Sequence, residues 1–558
     1  MRWSVFIGLT ERILADKKMV LGLPDIIVVV VFLAVILGTG VYVATREKMT
    51  SGNYFLAGRS LSWPLIGASL FAANISTIHL VGLAASGYTD GLVWGNFEWG
   101  APFILIILGL VFAPFYFKNK ISTLPEFLER RYSGASRTFL AVMGLFTALM
   151  VHIGLSLYAG AVVLEQFFGI NIFLSLLVIS VIVVIYTVLG GLKSVVMLDA
   201  IQSSILLVGA VIMTVFALLE LPKHGIHKYT DLVHAVRPGQ LDMLQSGDQA
   251  SGGLTWYAVL LGYPILGIWY WCGDQTIVQR VLGAKSKRDA MTGPVFAGFL
   301  KILPVFIMVF PGVLGYVLFK DIIGENSNDT LPVLINQLLP AGLRGLVAAA
   351  LLAAVMSTVS SALNSSGTLV AIDIFKRIKP NLSGRSQLLI GRVSTLFVMV
   401  LAMLWSTQGG KFTSIFEAIN TVLSMVSPPI ATVFILGVFW KRGTRQAAFS
   451  TLVLGFVLGV VVFCINFFKT SGDGIYLIQL IRDIHFLMQA VFLFIICTAN
   501  FVVVSFLTPP PSPKAISTLT LEKPMSFITK GKLTGYTDPR LLAGLLVVVM
   551  AILYLIFG

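Results

Sequence analysis

A chain of 558 residues that is 57% hydrophobic and only 11% charged, with a mean hydropathy of +0.92, is too apolar for a water-soluble domain and reads as a polytopic membrane protein. Its net charge of +14 calls for no nucleic-acid partner, because the basic residues fall mainly in short loops between apolar runs, where the positive-inside rule places them. Cys272, Cys464 and Cys497 lie inside apolar segments at no disulfide or metal spacing, and the first 25 residues, with Glu11, Asp16 and Lys17, show no recognisable signal-peptide cleavage site.

Crossing about 30 Å of hydrocarbon takes about 20 helical residues. Apolar runs of that kind lie near 26–45, 61–84, 91–117, 137–167, 171–190, 197–221 and 254–279, and then near 291–319, 343–375, 388–406, 412–440, 446–468, 484–507 and 540–557. The expectation is an all-α membrane protein with 14 transmembrane helices. Basic clusters follow alternate runs: Arg46, Lys48 and Arg59 after the first, Lys118, Lys120, Arg130 and Arg131 after the third, Lys285, Lys287 and Arg288 after the seventh, and Lys376, Arg377 and Lys379 after the ninth. These loops are assigned to the cytoplasm, which places both termini outside.

Polar segments at 222–253 and 508–539 divide the array. The expected organisation is an N-terminal extension and peripheral helix (1–60), a first repeat of five helices (61–221), an external loop (222–253), a second repeat of five (254–440), and three peripheral helices (441–558) with a cytoplasmic linker at 508–539. An odd number of crossings per half makes the repeats insert with opposite orientation. Each half opens on a helix poorly built to be continuous, at Ala72-Ala73-Asn74-Ile75-Ser76 and at Gly262-Tyr263-Pro264 with Gly267. Interrupted helices at corresponding places point to a midplane binding site in a secondary transporter, although glycine and proline are also ordinary in membrane helices.

Lys301 stands in the apolar run from Pro294 to Phe319, where an ammonium is costly unless it faces a partner or a wet cavity. Glu98, His79 and Lys301 supply the mixed donors and acceptors that a neutral polyol requires; a structural Glu98–Lys301 bridge beside a core histidine is the competing reading. Ser357, Ser360 and Ser361 share one helix face with Thr358 beside them. That hydroxyl stripe suits a hard cation and equally suits packing between membrane helices. Asp199 adds a carboxylate to the same site or is a solvated cap. No nucleophile, base and oxyanion donors occur together, so an enzyme is not expected.

The run Trp269-Tyr270-Trp271-Cys272-Gly273-Asp274-Gln275, continued by Ile277-Val278-Gln279-Arg280, resembles the signature of the sodium/glucose cotransporter branch of the sodium:solute symporters. Similar support comes from Phe55-Leu56-Ala57-Gly58-Arg59, Ala73-Asn74-Ile75-Ser76, Phe97-Glu98-Trp99, Leu124-Pro125-Glu126-Phe127, Leu363-Asn364-Ser365 and Phe439-Trp440-Lys441-Arg442. The resemblance implies a leucine-transporter-like fold with a 5+5 inverted-repeat core, alternating access, and sodium-coupled symport of a neutral sugar. It makes His79, Glu98 and Lys301 sugar-binding groups, Tyr270 an inner gate held by Asn74, and Leu83, Phe97 and Phe416 an outer lid. It implies a first sodium held by the backbone of Ala72, Ile75 and Ala354 with the hydroxyls of Ser357 and Thr358, and a second at Asp199, Ser360 and Ser361. Two departures bear on the substrate. Asn420 stands where sugar-carrying relatives have glutamine, and Gly267 replaces a hydrogen-bonding side chain. A different hexose, myo-inositol, a related polyol or another organic solute is therefore the alternative substrate, with His152 on the site side of its helix as a compensating group, and a non-transporting sugar sensor on the same fold is the alternative function.

Overall fold

The structure, a computed structural model, describes residues 21–46, 49–247, 253–408, 415–467, 476–513, 516, 519–521, 533 and 535–558. Among these residues the regular elements are helices, apart from one bridge between Leu61 and Ala284. The principal helices are α1 (Leu23–Arg46), α2 (Trp63–Asn74), α3 (Thr77–Thr89), α4 (Leu92–Lys118), the short α5 (Leu124–Arg131), α6 (Gly134–Gln166), α7 (Ile172–Glu220), α8 (Trp256–Gly267) and α9 (Gln275–Leu282). They continue with α10 (Lys287–Ile323), α11 (Leu343–Ile378), α12 (Gly384–Ser406), α13 (Ile415–Phe439), α14 (Arg445–Phe467), α15 (Phe486–Leu507) and α16 (Pro539–Phe557).

Among the described residues, 11 helices are long and apolar enough to cross a membrane, or 12 if α2 and α3 form one span bent by 62°. With 49 residues, α7 would be about 74 Å long at 1.5 Å per residue, far more than one bilayer crossing. It is interrupted at Gly191, whose φ of 58° and ψ of −155° lie outside helical space. Only glycine fits there, because a Cβ would fall 2.6 Å from the Tyr54 carbonyl oxygen. The runs expected at 171–190 and 197–221 are the two arms of this broken element.

Burial ranks the helices. In α11, 94% of the apolar stretch is buried, against 22% in α1 and 17% in α16. Among the described spans the hydroxyl-bearing helix is therefore the most enclosed, the central post, and α1 and α16 are the least buried. Helix α7 packs along α11, and the first part of α10 packs against α2. The second part of α10 crosses α3 at Gly87 and Gly312, where a Cβ would come within 2.1 Å of Val309 O and 2.0 Å of Ala84 O, respectively. Small residues at such a crossing let two backbones touch, which is how membrane helices gain packing energy without a hydrophobic drive between them.

Asp25, buried near the start of α1, ties the periphery to the centre. Its Oδ1 accepts from the backbone N–H groups of Gly342 and Gly345, both at 2.7 Å, and its Oδ2 from Gly22 N at 2.9 Å. A carboxylate thus satisfies donors at the α11 N-terminus that lipid would leave unpaired.

The second expected interruption lies elsewhere. Gly262 to Gly267 stay helical with Pro264 inside α8, a widened π turn covers Ile268–Gly273, and the break falls at Asp274 (φ −88°, ψ 126°), which caps α9 by accepting from Thr276 N at 2.6 Å. A π turn absorbs the misfit that proline introduces, so the chain leaves helical geometry only where a capping side chain is ready.

The α3–α10 crossing has no room for a methyl group. Gly312→Ala is expected to destabilise the protein by about 1–3 kcal/mol, seen as a lower melting temperature in detergent; an unchanged melting temperature would contradict the close approach.

Candidate functional site

The site begins with an interruption. Helix α2 ends at Asn74, Ile75 is extended (φ −80°, ψ 107°), and Ser76 starts α3. The restart is stabilised by a reciprocal cap in which Ser76 N–H donates to His79 Nδ1 at 3.3 Å and the Ser76 side chain receives the His79 backbone N–H. Because Nδ1 accepts, a neutral His79 carries its proton on Nε2 and presents a donor. The last turn of α2 has carbonyls without helical partners. Ala72 O receives the Ser357 hydroxyl at 2.9 Å and Ala73 O receives the Thr358 hydroxyl at 3.3 Å, while Ser357 also donates to Ala354 O at 3.1 Å. The broken helix and the central post are thereby joined through oxygen atoms.

Beside this joint lies a cavity that encloses about 820 Å³ of atom-free space, open solvent included. Asn74, His79, Glu98, His152, Lys301 and Asn420 supply its polar wall, and Phe97, Tyr263, Trp269, Tyr270 and Trp271 its aromatic one. Thr358 also borders it, so one side chain faces the cavity and holds the broken helix.

Lys301 organises the polar wall. Its backbone sits in a turn within α10, three residues before Pro304, and its ammonium donates to both Glu98 Oε2 and Asn74 Oδ1. Asn74 Nδ2 donates in turn to the Tyr270 hydroxyl at 3.0 Å. The Lys301 ammonium also lies 5.9 Å from the Trp271 ring. Charge, amide and phenol thus form one chain linking α10, α4, α2 and the π turn after α8. His152 Nε2 lies 3.3 Å from Asp274 Oδ2, and its ring is 6.0 Å from that of Tyr270.

A second polar cluster lies along the same post. Asp199 Oδ2 accepts from Ser69 at 2.5 Å, from Arg280 at 3.3 Å and from Ser361 at 3.5 Å. Arg280 also donates to Ser69 Oγ at 2.6 Å and to Ser361 Oγ. The other carboxylate oxygen, Asp199 Oδ1, is buried without a hydrogen-bond partner. Ser360 donates to Ser357 O at 3.1 Å.

The family model of the sodium:solute symporter family matches residues 54–455. The chain belongs to the sodium:solute symporter family. It is 33% identical over 543 residues to sodium/glucose cotransporter 1 of Oryctolagus cuniculus, covering 90% of this chain and 81% of that relative. It is 35% identical over 503 residues to sodium/glucose cotransporter 2 of Rattus norvegicus, covering 82% and 74%, and 34% identical over 541 residues to sodium/myo-inositol cotransporter 2 of Bos taurus, covering 91% and 80%. Among solved structures, a substrate-bound, outward-open Na+-coupled sialic acid symporter matches with a TM-score of 0.74 at 23% identity, over 88% of this chain and 99% of that one. A nucleobase-cation-symport-1 family transporter in a closed conformation matches with a TM-score of 0.51 at 15% identity, over 84% and 99%. The all-α fold is therefore leucine-transporter-like, and the chain is an integral membrane protein of a transporter family rather than an enzyme.

In this symporter, the expected cavity residues Asn74, His79, Glu98, His152, Tyr270, Lys301 and Asn420 all border one space. Of the expected lid, Phe97 borders it, stacked 5.6 Å from Trp94. Leu83 is buried on α3 away from the cavity lining, and the Phe416 side chain lies outside the described residues. Ala72, Ala354, Ser357 and Thr358 meet at the α2–α11 joint, and Ile75 is the extended residue beside it. Ala73, Ser69 and Arg280 complete the two clusters and Asp274 partners His152; Ser69 was not singled out from sequence, and Ala73, Asp274 and Arg280 were quoted only within longer runs, with no role of their own. Asp274 carried a readable signal, an aspartate one residue before a helix start; the pairing of Arg280 with Asp199, 81 positions apart, carried none.

The Glu98–Lys301 pair is buried on both sides, so removing one partner strands a charge. Lys301→Ala is expected to lower stability by about 3–5 kcal/mol, and pairing it with Glu98→Ala to recover most of that loss in a thermal-unfolding double-mutant cycle. Additive losses would mean that the two charges are not coupled.

Proposed function

We propose that this symporter carries a neutral sugar, a hexose such as glucose or galactose, together with sodium ions by alternating access. The observation that carries this reading is Thr358, which borders the cavity and holds the carbonyl edge of the broken helix. The oxygens of Ala72, Ile75, Ala354, Ser357 and Thr358 offer the hard donor set a dehydrated Na+ requires once the hydroxyl protons turn away. Ion binding there draws α2 onto α11 beside the cavity. The names of the curated relatives, sodium/glucose and sodium/myo-inositol cotransporters, support the same ligands.

In the proposed cycle His79, Glu98, Lys301, Asn420, Asn74 and His152 bind the sugar hydroxyls, and Tyr270 closes the inner side. Leu83, Phe97 and Phe416 form the outer lid. A second sodium takes Asp199, Ser360 and Ser361; the unpartnered Asp199 Oδ1 is the oxygen that suits it, with Arg280 holding Oδ2. Each sodium moving down a tenfold gradient contributes about 1.4 kcal/mol and each charge crossing 100 mV about 2.3 kcal/mol. Two ions therefore supply about 7 kcal/mol, enough for steep accumulation. A myo-inositol or related polyol substrate is the second reading, favoured by Asn420 and by the bare wall at Gly267. We further propose 14 crossings, inverted repeats over 61–221 and 254–440, a peripheral N-terminal part at 1–60, an external loop at 222–253, three peripheral helices in 441–558 with a cytoplasmic linker at 508–539, and both termini outside.

Counterflow in proteoliposomes with labelled hexoses and inositols, with and without sodium, tests the proposal. Sodium-dependent exchange of one neutral sugar or polyol is expected, and Thr358→Ala should raise the sodium concentration for half-maximal uptake about tenfold, a loss of about 1.4 kcal/mol. Asp199→Ala should lower the number of charges moved per sugar, read from reversal potentials. Uptake driven by pH alone, or sodium dependence untouched by Thr358→Ala, would overturn it.

A further inference from the structure

Tyr263 borders the cavity and has no role in the cycle just described. It stands four residues before Gly267, so the two share one face of α8, a turn apart. Both open onto the same space. The ring occupies a slot that glycines leave free: a Cβ on Gly100 would lie 2.5 Å from Tyr263 Cε1, and one on Gly267 would lie 3.4 Å from the same atom and 2.8 Å from Ile104. The bare position at 267 is thus filled by a neighbour's phenol and by Ile104. The ring also meets Phe97 edge-on, with centroids 5.9 Å apart.

The surroundings of the hydroxyl define its chemistry. Trp271, which lines the same cavity, and the Glu98 carboxylate are the side chains that act on it most. An indole N–H can only donate, so toward Trp271 the phenol can act only as an acceptor, which leaves its own proton for another partner. Glu98 Oε2 is held by Lys301. The wall therefore carries a phenol, a carboxylate and an ammonium bordering one space, a set of donors and acceptors suited to a polyhydroxylated ligand.

We infer that Tyr263 is a specificity-determining residue, its hydroxyl donating to one substrate hydroxyl in place of the side chain missing at Gly267. This inference rests on the proposed function. It predicts a substrate whose recognition depends on one particular hydroxyl, because a site built to hydrogen-bond that group rejects the analogue lacking it.

The experiment compares the unsubstituted protein and Tyr263→Phe in proteoliposomes, using the transported sugar and its mono-deoxy analogues. Tyr263→Phe should raise the KM for the parent sugar about five- to tenfold, the loss of about one hydrogen bond. The sodium half-saturation on the same samples should stay within about twofold, which also reports folding. One mono-deoxy analogue should be carried equally by both proteins. An unchanged KM for the parent sugar would overturn the inference, and so would an equal rise for every analogue, which marks packing rather than contact. In both cases the proposed function stands. If the unsubstituted protein carries no neutral sugar or polyol in a sodium-dependent way, the proposed function and this inference fall together.

Discussion

Lipid tolerates no unpaired backbone, and the break between α2 and α3 has to be paid for within the protein. At Asn74–Ile75–Ser76 the chain gives up helical hydrogen bonds at membrane depth. The carbonyls of Ala72 and Ala73 recover partners from the hydroxyls of Ser357 and Thr358, and Thr77 adds a hydrogen bond from its hydroxyl to Leu351 O at 2.7 Å. Without that stripe the break would cost several kcal/mol per stranded group. Two small elements, a bend and a turn of hydroxylated helix, thus require each other. Their shared oxygens are the natural place for a cation to compete.

The buried charges obey the same constraint. Glu98 with Lys301 and Asp199 with Arg280 each unite distant segments, because a lone charge in the interior costs more than its pairing recovers. Such pairs hold position more than they add stability. Lys301 reaches beyond its pair: through Asn74 it is linked to the Tyr270 hydroxyl. Lys301 keeps a third N–H beside the two given to Glu98 and Asn74, and in the proposed cycle a ligand that takes it joins the chain leading to Tyr270. In that cycle, ligand recognition and control of the inner side share one polar chain.

How far the sequence was legible follows from the range of each interaction. The break at 72–76 was readable because its causes are local: poor helix continuity, a serine to restart, and a histidine three residues on to close the cap. The hydroxyl stripe was equally local. The break near Asp274 was misplaced because Pro264 and Gly267 are louder signals than a π turn, which leaves no mark in residue type. Asp199, read as part of a cation site or a solvated cap, is fully buried against Arg280, a pairing set by how α7, α9 and α11 converge. Resemblance supplied the cavity residues that pattern alone left divided between a structural bridge and a binding site, and the geometry shows that Glu98 and Lys301 are both paired and exposed to the cavity.

That double character explains how coupling can arise without a long pathway. Thr358 borders the cavity and touches the α2 carbonyl edge, while Asn74, the last residue of α2, receives Lys301 and donates to Tyr270. In the proposed cycle a cation at the joint fixes the end of α2 and with it the Asn74 amide, so the cavity meets a sugar already arranged. By linkage the sugar must strengthen the cation site by the same factor. In that cycle the distance over which the two ligands communicate is the width of one side chain, and the lever is the end of a helix that cannot close its own hydrogen bonds.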